Sequence, residues 1–321
     1  MANSKFLNPK NDVAFKKIFA SEQNQDILIH FINDILGLRG EKAIEHVSPL
    51  SAVQDPDIAS KKQSVLDVLC RDKQGSQIIV EMQASPQRGF EKRAQYYAAK
   101  AYTQQLKKGK KELGKYHNLK AVIFIAICDY TLFPKKAAYW SEHKLLDQHT
   151  YQHDLKDFHF VFLELPKFKK AKIDDLQDEI EKWCHFFKYG EKATERQVAA
   201  ITASDPMIGR AYEAMNQFNW SEEELLAYER EIKRVMDNIA VEDYIKDHAM
   251  EEGRKKGREE GKKEGRKEGK REGREEGKKE GAYDKALHIA RHMLFRLRLE
   301  PQTVSQATGL SLEELQKLKE A

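Results

Sequence analysis

SVLDVLCRDKQGSQIIVEMQ, residues 64–83, decides how this chain folds. Two apolar runs, SVLDVLC and QIIVEMQ, flank Arg71-Asp72-Lys73-Gln74-Gly75, a polar segment ending in glycine. That pattern predicts a β-hairpin. With Asp67 opposite Glu81, the turn centres on Gln74 and Gly75 falls inside the loop. Alternation then places Val65, Asp67 and Leu69 on one face, shared with Gln77, Ile79, Glu81 and Gln83. The two carboxylates would face each other with Cβ atoms roughly 5 Å apart. Like charges so arranged repel, so either one is protonated or a cation bridges them. Oxygen donors on two rigid strands suit Mg2+, or alternatively Mn2+ or Ca2+. Such an ion can activate water and stabilise charge on a phosphodiester. The competing reading is two solvated charges on an exposed sheet face.

Outward from the hairpin, residues 8–36 read as two helices. Asn11 or Asp12 caps the first, which holds Phe15, Ile18 and Phe19, and the second stops at Gly37. AIEHVSPLSAV (43–53) reads as a broken strand. Residues 89–107 carry Phe90, Ala94, Tyr97 and Ala101 at helical spacing, with a stop at Lys107-Lys108-Gly109. LKAVIFIAICDY (119–130) is nearly all apolar, the mark of a strand buried on both faces. FHFVFLEL (158–165) predicts another strand. Residues 174–248 read as helices broken near Gly190, Pro206 and Asn219-Trp220, with starts at Asp205-Pro206 and at Ser221 with Glu224.

The chain has 321 residues, 34% of them charged, and a net charge of +4. Residues 251–281 hold 13 Lys or Arg and 10 Glu, a net of +3, so only +1 of the +4 lies elsewhere. A nucleic-acid surface must therefore be a local patch. In that segment glycine recurs every fourth residue from 253 to 281. A period of four against 3.6 turns the glycine column by about 40° per repeat and leaves no apolar seam. This repeat reads as a solvated linker, partly helical, with ion pairs such as Glu264 with Lys267. Residues 282–321 regain amphipathic pattern and read as a small helical tail, possible as a helix-turn-helix or as a self-association module. Four regions follow: 1–170, 171–250, 251–281 and 282–321. No apolar run approaches the roughly 18 residues of a membrane span. The N-terminus lacks a secretory h-region. Three scattered cysteines, Cys70, Cys128 and Cys184, fit a reducing cytoplasm.

The chain resembles the Rpn family of recombination-promoting nucleases, also described as transposases, within the PD-(D/E)XK nuclease superfamily. The resemblance is carried by NPKNDVAFKKIF (8–19), LDV (66–68), IVEMQ (79–83), RAQYYAAKAYTQQLKKG (93–109) and LKAVIFIAICDYTLF (119–133). It implies an α/β core of order αβββαβ, a mixed sheet flanked by helices, followed by an α-helical C-terminal region. It further implies a Mg2+-dependent DNA endonuclease associated with recombination or mobile elements, with Asp67 and Glu81 holding the metal. Gln83 stands where many such nucleases have lysine; glutamine keeps hydrogen bonding and supplies no charge. Asp12 is the candidate acid from the first helix, or simply its cap. Arg93 and Tyr97, one helical turn apart, face phosphate or else pack and pair at the surface.

Other motifs carry less. His143, His149, His153 and His159 fall in one polar stretch without HExxH, and His288 with His292 reads as helix surface. There is no GxSxG, P-loop or GxGxxG after a strand. The alternative to an enzyme is a weak or inactive nuclease fold retained for DNA binding or assembly. Cutting both strands with one centre per chain favours a homo-oligomer, joined through the C-terminal helices.

Overall fold

Asn11, not Asp12, starts the first helix: its side chain accepts the N–H groups of Val13 and Ala14 and caps α1 (Asp12–Phe19). The computed structural model describes residues 5–54, 64–106 and 116–320. A second helix, α2 (Gln25–Leu36), ends where Gly37 turns left-handed. Strands β1 (Val47–Pro49), β2 (Val53–Gln54), β3 (Ser64–Val65), β4 (Val68–Asp72) and β5 (Gln77–Gln83) follow, then helix α3 (Phe90–Thr103) and strand β6 (Val122–Cys128). The helix stop expected at Lys107-Lys108-Gly109 lies outside the described residues.

The hairpin forms as its sequence predicts. Ser76 N–H bonds the Asp72 carboxylate at 2.8 Å and Gly75 N–H bonds the Asp72 carbonyl at 3.1 Å. Gly75 adopts φ +94°, a conformation that a side chain would strain. The first arm differs from expectation. Its strand does not run through 64–70: β3 pairs with β2 as a separate two-stranded sheet, Asp67 is a bend, and β4 begins at Val68. As a result Leu66 and Leu69 pack into one cluster, where strict alternation would part them.

Two more strands, β7 (Trp140–Lys144) and β8 (Phe158–Glu164), complete a six-stranded mixed sheet of order β1–β4–β5–β6–β8–β7. Strand β5 lies antiparallel to β4 and parallel to β6, which is parallel to β8. Every residue of β5 is buried. Edge strand β7 has no counterpart in the sequence reading. WSEHK is polar and pairs on one side only, so it shows no apolar run.

Helices cover both faces. Ile79, Phe124 and Ala126 pack against Phe90, Ala94, Ala98 and Ala101 of α3. On the other face Val80, Met82, Ile125 and Ile127 meet α1 and α2 together with α4 (Glu179–Tyr189), α5 (Glu195–Ser204) and α6 (Pro206–Met215). Phe19, Phe31, Trp183 and Phe187 form an aromatic nucleus there, with Phe31 and Trp183 centroids 5.2 Å apart. Thus α4 to α6 share the core of α1 and α2. One compact unit comprises Met1–Met236 and a second Asp237–Ala321.

Helix α7 (Glu222–Phe295) starts at the capping box of Ser221 and Glu224. In the first unit its Leu225, Tyr228 and Ile232 pack with Leu7, Ala14 and Trp220. In the second unit residues 251–281 are helical throughout and exposed on every side. Their ion pairs include Glu251 with Lys255 at 3.1 Å. Helices α8 (Pro301–Thr308) and α9 (Leu312–Glu320) close on Ala290 and Leu294 through Val304, Leu310 and Leu315. Among the described residues, no helix is long and apolar enough to cross a membrane.

Candidate active site

The β4–β5 register pairs Val68 with Val80, so the next position sets Asp67 opposite Glu81. There the ladder is made by side chains. Asp67 N–H donates to Glu81 Oε1 at 3.2 Å, and Met82 N–H donates to Asp67 Oδ2 at 2.8 Å. Each carboxylate takes the place of a backbone carbonyl on the facing strand, which is why β4 stops one residue short. Asp67 Oδ1 accepts no hydrogen bond among the described residues.

Alternation along β5 puts Gln83 beside Glu81, on the side facing α3. Glu81 is 3% exposed and Gln83 8%. Gln83 Nε2 donates to Glu81 Oε2 at 3.2 Å, and Arg93 Nη2 of α3 donates to Gln83 Oε1 at 2.6 Å. The Arg93 guanidinium lies over the rings of Phe90 and Tyr97, 5.0 and 5.8 Å from their centroids. Tyr97 is half-buried. Burial raises its phenol pKa, and the charges of Glu81 and Asp67 add to the rise.

Burial pushes the Asp67 pKa above the ordinary carboxylate range, aided by the negative charge of Asp12 and opposed by the Met82 N–H, Lys16 and Arg93. Glu81 is pushed up too, by burial first and then by Asp67. The two titrate as a pair.

Asp12 belongs to this group through its charge, from the first residue of α1. It holds Lys16 in an i,i+4 ion pair at 2.8 Å. Lys16, whose charge lowers the pKa of Asp67 and Glu81, lies beside this pair and went unmarked in the sequence, where its one signal is four-residue spacing from Asp12. A second cation is brought close by topology. Asp129, just past β6, donates its N–H to the Gln83 carbonyl at 2.9 Å and its carboxylate holds Lys10 at 2.7 Å.

The histidine candidates do not gather. His143 packs on Phe133, His159 lies 2.7 Å from Glu142 across β7 and β8, and His288 and His292 are exposed on α7. A different trio converges among the described residues: His30, Asp34 and Asp205. His30 Nε2 lies 3.1 Å from Asp34 and 3.2 Å from Asp205. Both carboxylates are already committed. Asp34 accepts Trp183 Nε1 at 2.9 Å and Arg39 at 3.0 Å, while Asp205 caps α6. The trio is a polar clamp joining α2, α4 and α6.

A mixed sheet between helical layers, an aspartate at a strand break and Glu-x-Gln on the next strand define a nuclease fold of the PD-(D/E)XK class. A family model described as PD-(D/E)XK nuclease family transposase matches residues 9–244, and the chain belongs to that family. No curated protein and no solved structure matches the chain in the corresponding comparisons.

Proposed function

We propose that the protein is a metal-dependent endonuclease that hydrolyses DNA phosphodiesters, in the setting of recombination or mobile elements. The observation that carries this reading is the Asp67–Glu81 pair, a half-buried and a buried carboxylate on facing positions, each accepting a main-chain N–H of the other's strand inside a nuclease-family core. Their donor set fits a hard divalent ion: oxygen ligands, two negative charges and one Asp67 oxygen free of hydrogen bonds among the described residues. Asp67 and Glu81 hold Mg2+, with Mn2+ or Ca2+ as alternatives. When bound, the ion neutralises phosphate charge and makes water a better nucleophile.

The chain's own groups do the rest. Gln83 orients the attacking water through the second lone pair of its amide oxygen. Lys16 offsets negative charge at the carboxylates, and Asp12 holds Lys16 in place. Arg93 and Tyr97 on α3 meet the DNA backbone. Self-association through the C-terminal helices brings two sites together for double-strand cutting. The three buried, unpaired cysteines suit a reducing cytoplasm.

One observation favours a second reading. Gln83 carries no charge where the chemistry profits from one, which suits a fold kept for DNA binding or assembly without cleavage. Supercoiled plasmid incubated with purified protein separates the two. The endonuclease reading expects nicking with Mg2+ or Mn2+ that chelation abolishes. Intact, folded protein that leaves plasmid uncut with each metal over long incubation would reject it.

A further inference from the structure

The partners of Gln83 leave its amide one orientation. Arg93 is donor-only, so the group facing it at 2.6 Å must be the Gln83 oxygen. The Gln83 nitrogen is thereby turned toward Glu81 Oε2 at 3.2 Å and the Met82 carbonyl at 3.1 Å, both acceptors. A flipped amide would set N–H against N–H at Arg93 and oxygen against oxygen at Glu81. The guanidinium is itself fixed. Nη1 donates to Gln87 Oε1, and the Phe90 and Tyr97 rings lie beneath it. Gly89, left-handed at φ +78°, begins the helix four residues before Arg93.

Arg93 Nε is buried and has no hydrogen-bond partner among the described residues. An unmet buried donor costs stability, so a purely packing role is a poor account of this arginine. Its negative neighbours give a better one. The hydrogen bonds run in the order Arg93, Gln83, Glu81, while the guanidinium charge also acts on Glu81 and Asp67 through space.

We propose that Arg93 is a positioning residue that acts through Gln83, locking the amide with its nitrogen on Glu81 and the Met82 carbonyl and so holding Glu81 in its ion-binding pose. The functional consequence rests on the metal-dependent reading above; the locked amide does not. A glutamine so held spends its donors on Glu81 and the Met82 carbonyl, while the charge stays one residue removed, on α3.

Two measurements on the full-length protein separate these layers. In metal-free protein, the Gln83 side-chain NH2 resonances, assigned by loss in Gln83→Met, are expected to be shifted and slow to exchange. Arg93→Met is expected to move them to the position of a solvated glutamine. In a Mn2+ titration by calorimetry without DNA, Arg93→Met and Gln83→Met are each expected to weaken binding about 10–100-fold. The double variant is expected to be no weaker than the worse single one, because without Gln83 no hydrogen bond links Arg93 to Glu81. Gln83 resonances indifferent to Arg93, or losses that multiply in the double variant, would overturn the proposal. If the wild type binds no Mn2+, the metal reading fails and the resonances alone decide the positioning. Should Arg93→Met not fold, Arg93→Lys replaces it in each arm, with smaller losses of the same sign.

Discussion

Asp67→Asn is expected to abolish metal-dependent cleavage, by about 10³-fold, and at the same time to raise the melting temperature of the metal-free protein. The replacement is nearly isosteric. Its amide oxygen still accepts the Met82 N–H, and its NH2 takes the position of Oδ1, which has no hydrogen bond among the described residues to lose. What disappears is charge. Burial raises both carboxylates above their ordinary range, so the folded chain holds protons that the unfolded chain would release. Stability then falls as pH climbs from the unfolded carboxylate pKa through the folded values. Asparagine cannot ionise, and it also relieves Glu81. The gain should be absent at pH 4, grow through neutrality and level off above, at about 1–3 kcal/mol. For a unit of this size that is roughly 2–4 °C per kcal/mol. Scanning calorimetry in chelator across pH 4–9 measures it, and added Mg2+ should stabilise only the wild type. A melting temperature lowered equally at every pH, or cleavage retained, would remove Asp67 from the proposed role.

The largest loss of stability is expected away from the carboxylate pair, at Asp34. This side chain is 4% exposed and joins Trp183, Arg39 and His30. Asp34→Ala leaves the indole N–H of a fully buried tryptophan without its acceptor and strips His30 of one anion. Removing one partner from a buried charged network costs about 3–5 kcal/mol. Asp34→Asn, which keeps an acceptor for Trp183, should lose less. The His30 contribution has a definite pH sense. Its hydrogen bond to Asp205 and the nearby Asp34 charge raise its pKa against the pull of burial. The stability it adds is complete below the unfolded histidine pKa and is lost as pH rises through the folded one. Denaturant melts at pH 5.5 and pH 8.5 should therefore show His30→Gln more costly in acid. Equal costs at both values would mean that His30 binds as a neutral ring.

Most of the sheet was readable because its signals are local. A register with Asp67 opposite Glu81 is compatible with a turn centred on Gln74 with Gly75 in its loop, and the observed β4–β5 pairing matches it. Continuous apolar sequence marked β6, and alternation grouped Ile79, Glu81 and Gln83 on one face, which the structure turns toward α3. The failures share a cause: each depends on a partner distant in sequence. A carboxylate that replaces a ladder carbonyl has no periodicity, so the break at Asp67 was invisible. β7 is polar because its other edge is unpaired. The apolar faces of α4 to α6 complete the layer over α1 and α2, a contact no local pattern announces. His30 and Asp205 meet across 175 positions, beyond any spacing rule.

The bond from Met82 N–H to Asp67 turns one main-chain amide into a built-in electrode for this site. Elsewhere in β5 the amides face neutral carbonyls. At Met82 the acceptor gains or loses a full charge, so in 15N-enriched protein the frequency of that single group tracks the ionisation of its neighbour without any attached probe, dye or substrate.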